Sequence, residues 1–184
     1  MESLRKIILW ALVCHVTAWV NQFDQAFNFT CPPETSLSHV VSSHDNHFED
    51  RVWDFSCRAP PYTSTNMSNC EWTDYENDFD QPLTFQCASD GIIAGISSIH
   101  DNHYEDRRFK FYCCEISGFI TGSCYFTAYV NKFDEHMDYV VPSGKVMRGI
   151  DSYHENKEED RRFKFEICDL DEHDTPIEGE LSWV

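Results

Sequence analysis

Residues 49–55 read EDRVWDF, residues 105–111 read EDRRFKF, and residues 159–165 read EDRRFKF. The three stretches recur at a nearly constant spacing, and each runs on toward a cysteine. Each copy also opens with an aromatic-x-Asn-x-Phe-Asp motif, at residues 19–24, 75–80 and 129–134. A unit that recurs in this way predicts a repeat architecture, in which neighbouring units pack together into one core.

The alternation of side chains within these stretches predicts β-strands. Arg107, Phe109 and Phe111 share one parity, which we expect to face the core, whereas Arg108 and Lys110 share the opposite parity. Four segments of this kind in each copy give about twelve short strands, and no stretch has convincing helical periodicity. We interpret the inward-facing arginines as partners of carboxylates in a neighbouring copy: Arg51, Arg107 and Arg161.

The two ends of the repeat array predict how the copies are arranged. In copies one and two, the closing segment runs directly into the opening motif of the next copy. In copy three the closing segment is residues 182–184, and the opening motif that would follow it begins at residues 19–21. The two ends therefore complement each other, which indicates a closed ring without exposed sheet edges. We therefore predict an all-β fold in which three repeats of about 55 residues form a closed, disulfide-stapled, pseudo-threefold arrangement. The strand–loop–strand unit with a cysteine at each end resembles that of egg vitelline-membrane outer-layer proteins. That resemblance favours a β-prism-like arrangement, with a β-trefoil as the alternative.

The N-terminal stretch, residues 1–18, has the pattern of a secretory signal peptide. Arg5 and Lys6 precede an apolar run over residues 7–16, and residues 16–18 fit a small-residue cleavage site. We expect residues 19–184 to form a single domain with repeats at about 19–73, 74–127 and 128–184, which are called copies one, two and three below. No other stretch is long and apolar enough to predict a membrane span.

The composition argues against several classes of function. The chain has 14 Lys and Arg residues against 32 Asp and Glu residues, a formal net charge of −18. Such a charge repels polyanions at long range, so we expect no nucleic acid partner. No serine or free cysteine lies in a recognisable nucleophile setting, and a threefold repeat offers no unique catalytic site. We therefore expect no enzyme and no cofactor, with Ca²⁺ left open because the chain is rich in carboxylates.

The cysteines predict a disulfide framework. Nine are present, and eight remain once Cys14 is removed with the signal peptide, an even number that is typical of an exported chain. Two sequence separations each occur twice among these eight, so the predicted disulfides are Cys31–Cys57, Cys87–Cys113, Cys70–Cys114 and Cys124–Cys168. Parity places Cys57 and Cys113 on the inward side of their strands, and Cys114 and Cys168 on the outward side. In copy three, Val141 and Ile167 occupy the positions that correspond to Cys31–Cys57 and Cys87–Cys113 in the other copies.

Two basic pairs lie at outward parity on this acidic protein. They are a candidate patch for a sulfated glycan or an acidic glycoprotein, and consist of Arg108, Lys110, Arg162 and Lys164. In copy one the same positions hold Val52 and Asp54. The alternative interpretation is ordinary solvated charge on a strand face.

A polar loop precedes each repeated stretch: HDNHFE at residues 44–49, HDNHYE at 100–105 and HENKEE at 154–159. The paired histidines are candidate ligand-binding residues and suit a transition metal: His44, His47, His100 and His103. The loop carboxylates would suit Ca²⁺, although the spacing is not that of an EF-hand: Asp45, Glu49, Asp101 and Glu105. A polar, solvated loop is the alternative. Two sequons, at Asn28 and Asn66, predict N-glycosylation.

These elements resemble the dermatopontin family, the tyrosine-rich acidic matrix proteins, and in particular its invertebrate members. The resemblance rests on residues 19–32, on the three Asp-Arg-x-aromatic-x-Phe motifs and on the doublet Cys113-Cys114, and it covers essentially the whole mature chain. It implies a secreted extracellular-matrix protein rather than an enzyme. Vertebrate members organise collagen fibrils, bind a small proteoglycan and support cell adhesion, and invertebrate relatives include cell-aggregating, lectin-like and shell-matrix proteins. The sequence departs from the family in having fewer cysteines, no tyrosine-rich N-terminal extension and no Arg-Gly-Asp triplet.

Three functions remain open at this point. The first is a secreted matrix and adhesion protein that makes multivalent contacts with extracellular-matrix proteins, proteoglycans or cell-surface glycans. The second is a lectin-like factor of body fluid that aggregates cells, and the third is an acidic, Ca²⁺-binding protein of a mineral matrix. Repetition predicts two or three equivalent binding sites, which would raise the avidity for a repeated ligand. The sequence leaves the ligand and the oligomeric state open.

Overall fold

The structure is a computed structural model that describes residues 19–62 and 66–173. These residues form eleven β-strands: β1 Phe27–Thr30, β2 Ser36–Asp45, β3 Asp50–Arg58, β4 Met67–Trp72, β5 Leu83–Gln86, β6 Ile92–Asp101, β7 Asp106–Ile116, β8 Phe119–Phe126, β9 Met137–Val140, β10 Val146–Glu155 and β11 Asp160–Glu172. The described residues contain no helix, which confirms the all-β prediction. It follows that no described segment is a helix able to cross a lipid bilayer. The predicted signal peptide at residues 1–18 and the closing segment at residues 182–184 lie outside the described residues.

The strands form three antiparallel sheets, with orders β1-β6-β7-β4, β5-β10-β11-β8 and β3-β2-β9. Each sheet is built on the long central hairpin of one copy, and the flanking strands come from another copy. Thus β6 and β7 of copy two lie between β1 and β4 of copy one, and β10 and β11 of copy three lie between β5 and β8 of copy two. The hairpin of copy one pairs with β9 of copy three. The copies therefore exchange strands, and none of them is a separate folding unit.

A β-bulge recurs at the same point in the first strand of all three hairpins: Leu37/His39, Ile93/Gly95 and Met147/Gly149. Two of these bulges carry glycine because the neighbouring strand passes very close. A Cβ at Gly95 would lie 2.7 Å from the carbonyl oxygen of Phe29, and a Cβ at Gly149 would lie 2.5 Å from that of Phe85. At these two positions a side chain would clash with the flanking strand, whereas copy one has His39 at the equivalent bulge.

The aromatic residues of the repeated stretches meet in the core. Trp53, Phe109 and Phe163 hold equivalent positions in the three copies, and all three side chains are buried. Their ring centroids lie 5.9, 5.4 and 6.0 Å apart, with interplanar angles of 76°, 89° and 86°. Each ring therefore contacts the other two edge to face, an arrangement that aromatic quadrupoles favour. This aromatic triad brings one side chain from every copy into a single contact.

The asparagine of each opening motif is also structural. Asn21 is buried, donates from Nδ2 to the carbonyl oxygen of Arg51 and accepts at Oδ1 from the backbone N–H of Trp53. Asn77 and Asn131 make the same two contacts in the other copies. The side-chain amide thus makes the two hydrogen bonds that the backbone of a neighbouring strand would otherwise make with the central hairpin. Buried backbone groups of the hairpin are satisfied in this way.

The structure joins the four cysteine pairs that the repeat spacing predicts: Cys31–Cys57, Cys70–Cys114, Cys87–Cys113 and Cys124–Cys168. Cys114 and Cys168 were expected on the outward side of their strands, away from the main core, and they are nevertheless only 2% and 0% exposed. A second, smaller apolar cluster covers that face, because Ile92, Ile116 and Leu170 pack there. In copy three Val141 and Ile167 are fully buried where the other copies have a disulfide.

Candidate functional site

Three buried arginines and three buried aspartates form a closed cycle that links the copies. Nε and Nη2 of each arginine donate to the two carboxylate oxygens of one aspartate, at 2.6 and 2.7 Å in every case. The pairs are Arg51 with Asp160, Arg107 with Asp50, and Arg161 with Asp106. Each arginine therefore contacts the aspartate of another copy, and the chain of contacts returns to its start. The expectation that these arginines pair between copies is confirmed.

Backbone groups add further hydrogen bonds to this cycle, although Nη1 of Arg51 and of Arg161 is buried without a partner. Asp50 Oδ2 also accepts from the backbone N–H of Asp24, at 2.8 Å. Arg107 Nη2 also donates to the carbonyl oxygen of Gln25, at 3.0 Å. The other two pairs have equivalent contacts. Fork-to-fork pairs with additional backbone contacts are the geometry in which a buried ion pair is tolerated, so we assign these residues a structural role.

Next to the cycle, one imidazole from each copy faces an aspartate of the preceding copy. Nδ1 lies 3.5 Å from the carboxylate in His44–Asp134, 3.8 Å in His100–Asp24 and 3.4 Å in His154–Asp80. The three imidazoles are 0 to 1% exposed, although each sits in a loop-flanking position that the sequence suggested was solvated. With the aspartate of the cycle, each contact forms a seam cluster: His44/Asp134/Asp160, His100/Asp24/Asp50 and His154/Asp80/Asp106.

A ring of glutamates borders the same region. Glu49, Glu105 and Glu159 adopt left-handed backbone conformations, with φ of 47°, 43° and 44°. Partial burial raises the pKa of the Glu105 carboxyl, nearby carboxylates raise it further, and His100 offsets part of the effect. Burial likewise raises the pKa of Glu159. A cavity of about 20 Å³, room for roughly one water molecule, lies among these glutamates, the seam histidines, the arginine–aspartate cycle and the aromatic triad.

The structure separates the loop residues that the sequence grouped together. His44 and His100 are buried in seam clusters, whereas His47 and His103 are exposed at the loop tips, edge to face with Phe48 and Tyr104. Asp45 and Asp101 accept hydrogen bonds from the backbone N–H of His47 and His103, which closes the turns. Glu49 and Glu105 instead border the internal cavity. The loop carboxylates therefore do not converge, and Asp45 and Asp101 belong to none of the clusters of metal-ligating groups found among the described residues.

The outward cations of copy two lie on a strip of aromatic rings. The Arg108 guanidinium is 4.9 Å from the centroid of Tyr75 and 5.7 Å from that of Phe79. Lys110 Nζ is 5.6 Å from the ring of Trp72 and 5.7 Å from that of Tyr75. Phe79 in turn stacks on the exposed ring of Tyr104. We call this surface the copy-two strip: Trp72, Tyr75, Phe79, Tyr104, Arg108 and Lys110.

Copy three has a second strip, and copy one lacks the cations. The Arg162 guanidinium lies 4.2 Å from the centroid of Tyr129, and Lys164 Nζ lies 4.5 Å from it. Phe133 is 5.7 Å from Arg162, and together these residues form the copy-three strip: Tyr129, Phe133, Arg162 and Lys164. In copy one the exposed face keeps a stacked pair, Phe23 on Phe48. It has Val52 and Asp54 in place of the cations.

Two surface clefts border β4, next to the copy-two strip. One has a volume of about 390 Å³ and is lined by the ring of Trp72 with polar groups that include Glu76, Thr84 and Gln86. The other, of about 350 Å³, is lined by residues 30–35 and by Tyr112. Volumes of this size accommodate a small ligand or a few sugar units. Sequence reasoning did not identify these clefts, because they form between strands of different copies.

Sequence reasoning also missed Asp24, Asp80, Asp134 and His154 as members of a site. Each aspartate ends an opening motif, and all three lie at the same sequence separation from the aspartate that they approach. The signal that could have found them is this recurrence at equivalent positions in all three copies. His154 is the third copy of His44 and His100, but its loop has Lys157 in place of a second histidine and so lacks the paired histidines of the other two loops.

Comparison with known proteins places this fold in a family. The family model described as Dermatopontin matches residues 21–172. The Limulus polyphemus protein named hemagglutinin/amebocyte aggregation factor is 42% identical over 166 residues, 89% of this chain and 94% of its own length. Millepora cytotoxin-1 from Millepora dichotoma is 41% identical over 153 residues, 83% of this chain and 67% of its own length. Dermatopontin from Biomphalaria glabrata is 39% identical over 151 residues, 82% of this chain and 99% of its own length.

No solved structure matches this chain. The four disulfides suit an extracellular protein, and the relatives fit matrix, adhesion or lectin-like roles. Because the family model covers most of the sequence and the invertebrate relatives match over more than four fifths of it, the protein belongs to the dermatopontin family.

Proposed function

We propose that this protein is a secreted adhesion protein that links cells or matrix components by binding acidic glycans or glycoproteins at the copy-two and copy-three strips. The observation that carries the proposal is the presence of two similar aromatic–cation strips on one chain of net charge −18. A molecule with two binding surfaces can bridge two partners, and it gains avidity on a surface that displays many copies of the ligand.

The chemistry of the strips suits such a ligand. Aromatic rings pack against the apolar faces of sugar rings, and guanidinium and ammonium groups pair with sulfate or carboxylate groups. Arg108 already contacts one carboxylate, that of Asp78, at 3.2 Å, but this aspartate is 80% exposed. Exposed ion pairs contribute little free energy, so a ligand anion can replace Asp78 at small cost.

The relatives support an aggregating activity. The Limulus protein carries hemagglutinin and aggregation factor in its name, and this chain matches 94% of its length. Hemagglutination requires at least two contacts with cell surfaces, which is what the two strips would provide. We extend this role to the present protein as a proposal.

The scaffold that we propose for these contacts is a closed, pseudo-threefold, prism-like arrangement of the copies. The cyclic arginine–aspartate pairs and the edge-to-face aromatic triad support closure. Secretion after removal of residues 1–18 and N-glycosylation at Asn28 and Asn66 belong to the same proposal. Both asparagines are exposed, and Asn28 lies on the edge strand β1.

Cell aggregation by strip variants tests the proposal. Arg108→Gln with Lys110→Gln removes the cations of copy two, and Arg162→Gln with Lys164→Gln removes those of copy three. Each double variant should still bind an immobilised sulfated glycan with about half of the sites. Because one strip cannot bridge two cells, each double variant should fail to aggregate cells even at about 100 times the protein concentration that the parent needs.

The matched control is Lys132→Gln, which removes one exposed cation from copy three outside the strip. This variant should aggregate cells as well as the parent does. Unchanged aggregation by the variant that lacks all four strip cations, with its fold intact by circular dichroism, would overturn the proposal.

Inhibition of aggregation by free ligands distinguishes a lectin of body fluid from a matrix adhesion protein. If a simple sugar abolishes aggregation, the protein acts as a lectin of body fluid. If only sulfated glycosaminoglycan or a matrix glycoprotein competes, its role is in matrix adhesion.

A further inference from the structure

The three seam clusters contain polar groups that the protein itself leaves unpaired. Both ring nitrogens of His100 and of His154 are buried without a hydrogen-bond partner, and so are Asp24 Oδ1 and Asp80 Oδ1. A buried polar group without a partner costs on the order of 1–3 kcal/mol, so a repeated set of such groups calls for an explanation. The explanation has to apply three times, because the clusters are equivalent in the three copies.

The distances within the clusters fit a shared cation better than a direct hydrogen bond. Nδ1 and the facing Oδ1 are separated by 3.4 to 3.8 Å, beyond the usual range of N–H···O contacts. Two ligands of a tetrahedral zinc ion, each about 2.0–2.1 Å from the metal, are about 3.3–3.4 Å apart. The observed separations are therefore close to one edge of such a coordination shell.

The tautomer of His44 strengthens this argument. His44 Nε2 lies 3.3 Å from the carbonyl oxygen of Glu159, to which it can only donate. In the neutral imidazole Nδ1 is then an acceptor, and it faces the carboxylate of Asp134, another acceptor. A metal ion between them resolves this clash, and histidine ligands commonly donate their second N–H to a carbonyl or carboxylate group.

The charges of each seam also favour a cation. The cluster of His100 contains Asp24 and Asp50, whose charges are balanced by Arg107 alone, and Glu105 lies 3.8 Å from His100 Nε2. The donor set of imidazole with carboxylate suits zinc and related transition metals rather than Ca²⁺, which prefers oxygen ligands alone. The side chains of Asp24, Asp80 and Asp134 are 27, 26 and 33% exposed, although the oxygens of Asp24 and Asp80 that face the imidazoles are themselves buried.

We propose that each seam binds one divalent transition-metal ion of the zinc type, held by the histidine Nδ1 of one copy and the aspartate Oδ1 of the preceding copy. The aspartate of the arginine–aspartate cycle lies alongside as a further carboxylate. Because each site takes ligands from two copies, a bound ion joins those copies and stabilises the folded chain over the unfolded one. This proposal is independent of glycan binding at the outer strips.

Zinc stoichiometry on the intact secreted protein tests the proposal. Purified protein is stripped with a chelator and titrated with ZnCl₂ near pH 7, with the bound ions counted by native mass spectrometry and calorimetry. We expect up to three ions per chain and a higher melting temperature that EDTA reverses. His100→Gln should remove one ion, Asp24→Asn should remove the same ion, and the double variant should lose no more than either.

His103→Gln is the matched control, since it removes an exposed histidine three residues from His100 and should leave zinc uptake unchanged. The asparagine variants keep the test informative if a histidine variant fails to fold, because Asp24, Asp80 and Asp134 are partly exposed. No zinc uptake by the parent protein would overturn the proposal. So would equal loss in His103→Gln, or a single ion that disappears alike in His44→Gln, His100→Gln and His154→Gln, which would indicate one site shared by the three seams.

Discussion

The interior around the aromatic triad and the outer faces of the hairpins use the same repeated stretch in different ways. At inward parity the three copies agree: Arg51, Arg107 and Arg161 make identical contacts, and the rings of Trp53, Phe109 and Phe163 meet edge to face. At outward parity they differ, since copy one has neither of the strip cations. Interior groups that close one cycle must all match, because one mismatched copy leaves the other members unpaired. The outer faces carry no such constraint and can specialise for binding.

Breaking the interior cycle should have the largest effect on stability. Asp50→Ala leaves Arg107 buried without its carboxylate, so we expect a loss of about 3–5 kcal/mol in the free energy of unfolding. Asp106→Ala and Asp160→Ala should cost similar amounts, because their contacts are equivalent. Denaturant unfolding measures all three losses. A loss below about 1 kcal/mol in any of them would mean that the cycle does not close as described.

Removing a disulfide should have a smaller effect that depends on the copy. Loss of Cys124–Cys168 through a pair of alanine substitutions should cost about 2–4 kcal/mol. Cys87→Val with Cys113→Ile should cost less than this, because it reproduces the buried pair Val141 and Ile167 of copy three. Thermal unfolding of the two double variants makes the comparison, and equal losses would contradict the equivalence of these positions.

Neutralising one glutamate at the internal cavity should raise the stability of the folded protein by a small amount. The pKa of Glu105 in the folded protein is raised above its ordinary value of 4.5, chiefly by burial. The folded state then binds the proton more tightly than the unfolded state, so stability falls as the pH rises from about 4.5 through the raised pKa. In the presence of a chelator, Glu105→Gln should be more stable than the parent near pH 7.

That advantage should vanish below about pH 4, where the parent's glutamate is protonated in both states. Glu159→Gln should behave in the same way, because burial also raises the pKa of Glu159. Unfolding curves at a series of pH values provide the measurement. A variant that is less stable than the parent at pH 7 would show that the Glu105 carboxylate stabilises the fold.

The sequence predicted the parts of this fold that depend on local pattern and on repetition. Strand alternation identified the hairpins, and equal separations identified the cysteine pairs that the structure joins. It also predicted that Arg51 and its equivalents would pair with carboxylates of other copies. Repetition restricts long-range contacts unusually well, because a contact between two copies recurs wherever the other copies carry the same residues.

The seam clusters and clefts could not be predicted because they depend on how the copies exchange strands. Nothing in the local pattern indicates that His100 of copy two approaches Asp24, which lies far earlier in the chain, in copy one. Polar composition suggested that the histidine loops were solvated, whereas the arginine–aspartate cycle draws their first histidine into the interior. The burial of Cys114 could not be predicted for the same reason, because β4 brings a second apolar cluster onto the outward face.

Two adjacent arginines test the division between interior and outer face most directly. Arg107 belongs to the interior cycle, and Arg108 belongs to the copy-two strip. We predict that Arg107→Gln loses about 3–5 kcal/mol in the free energy of unfolding, whereas Arg108→Gln loses no more than about 1 kcal/mol. Denaturant unfolding of the two variants under identical conditions is the decisive measurement. Losses of equal size would contradict the account, because they would show that inward and outward parity carry no difference in structural role.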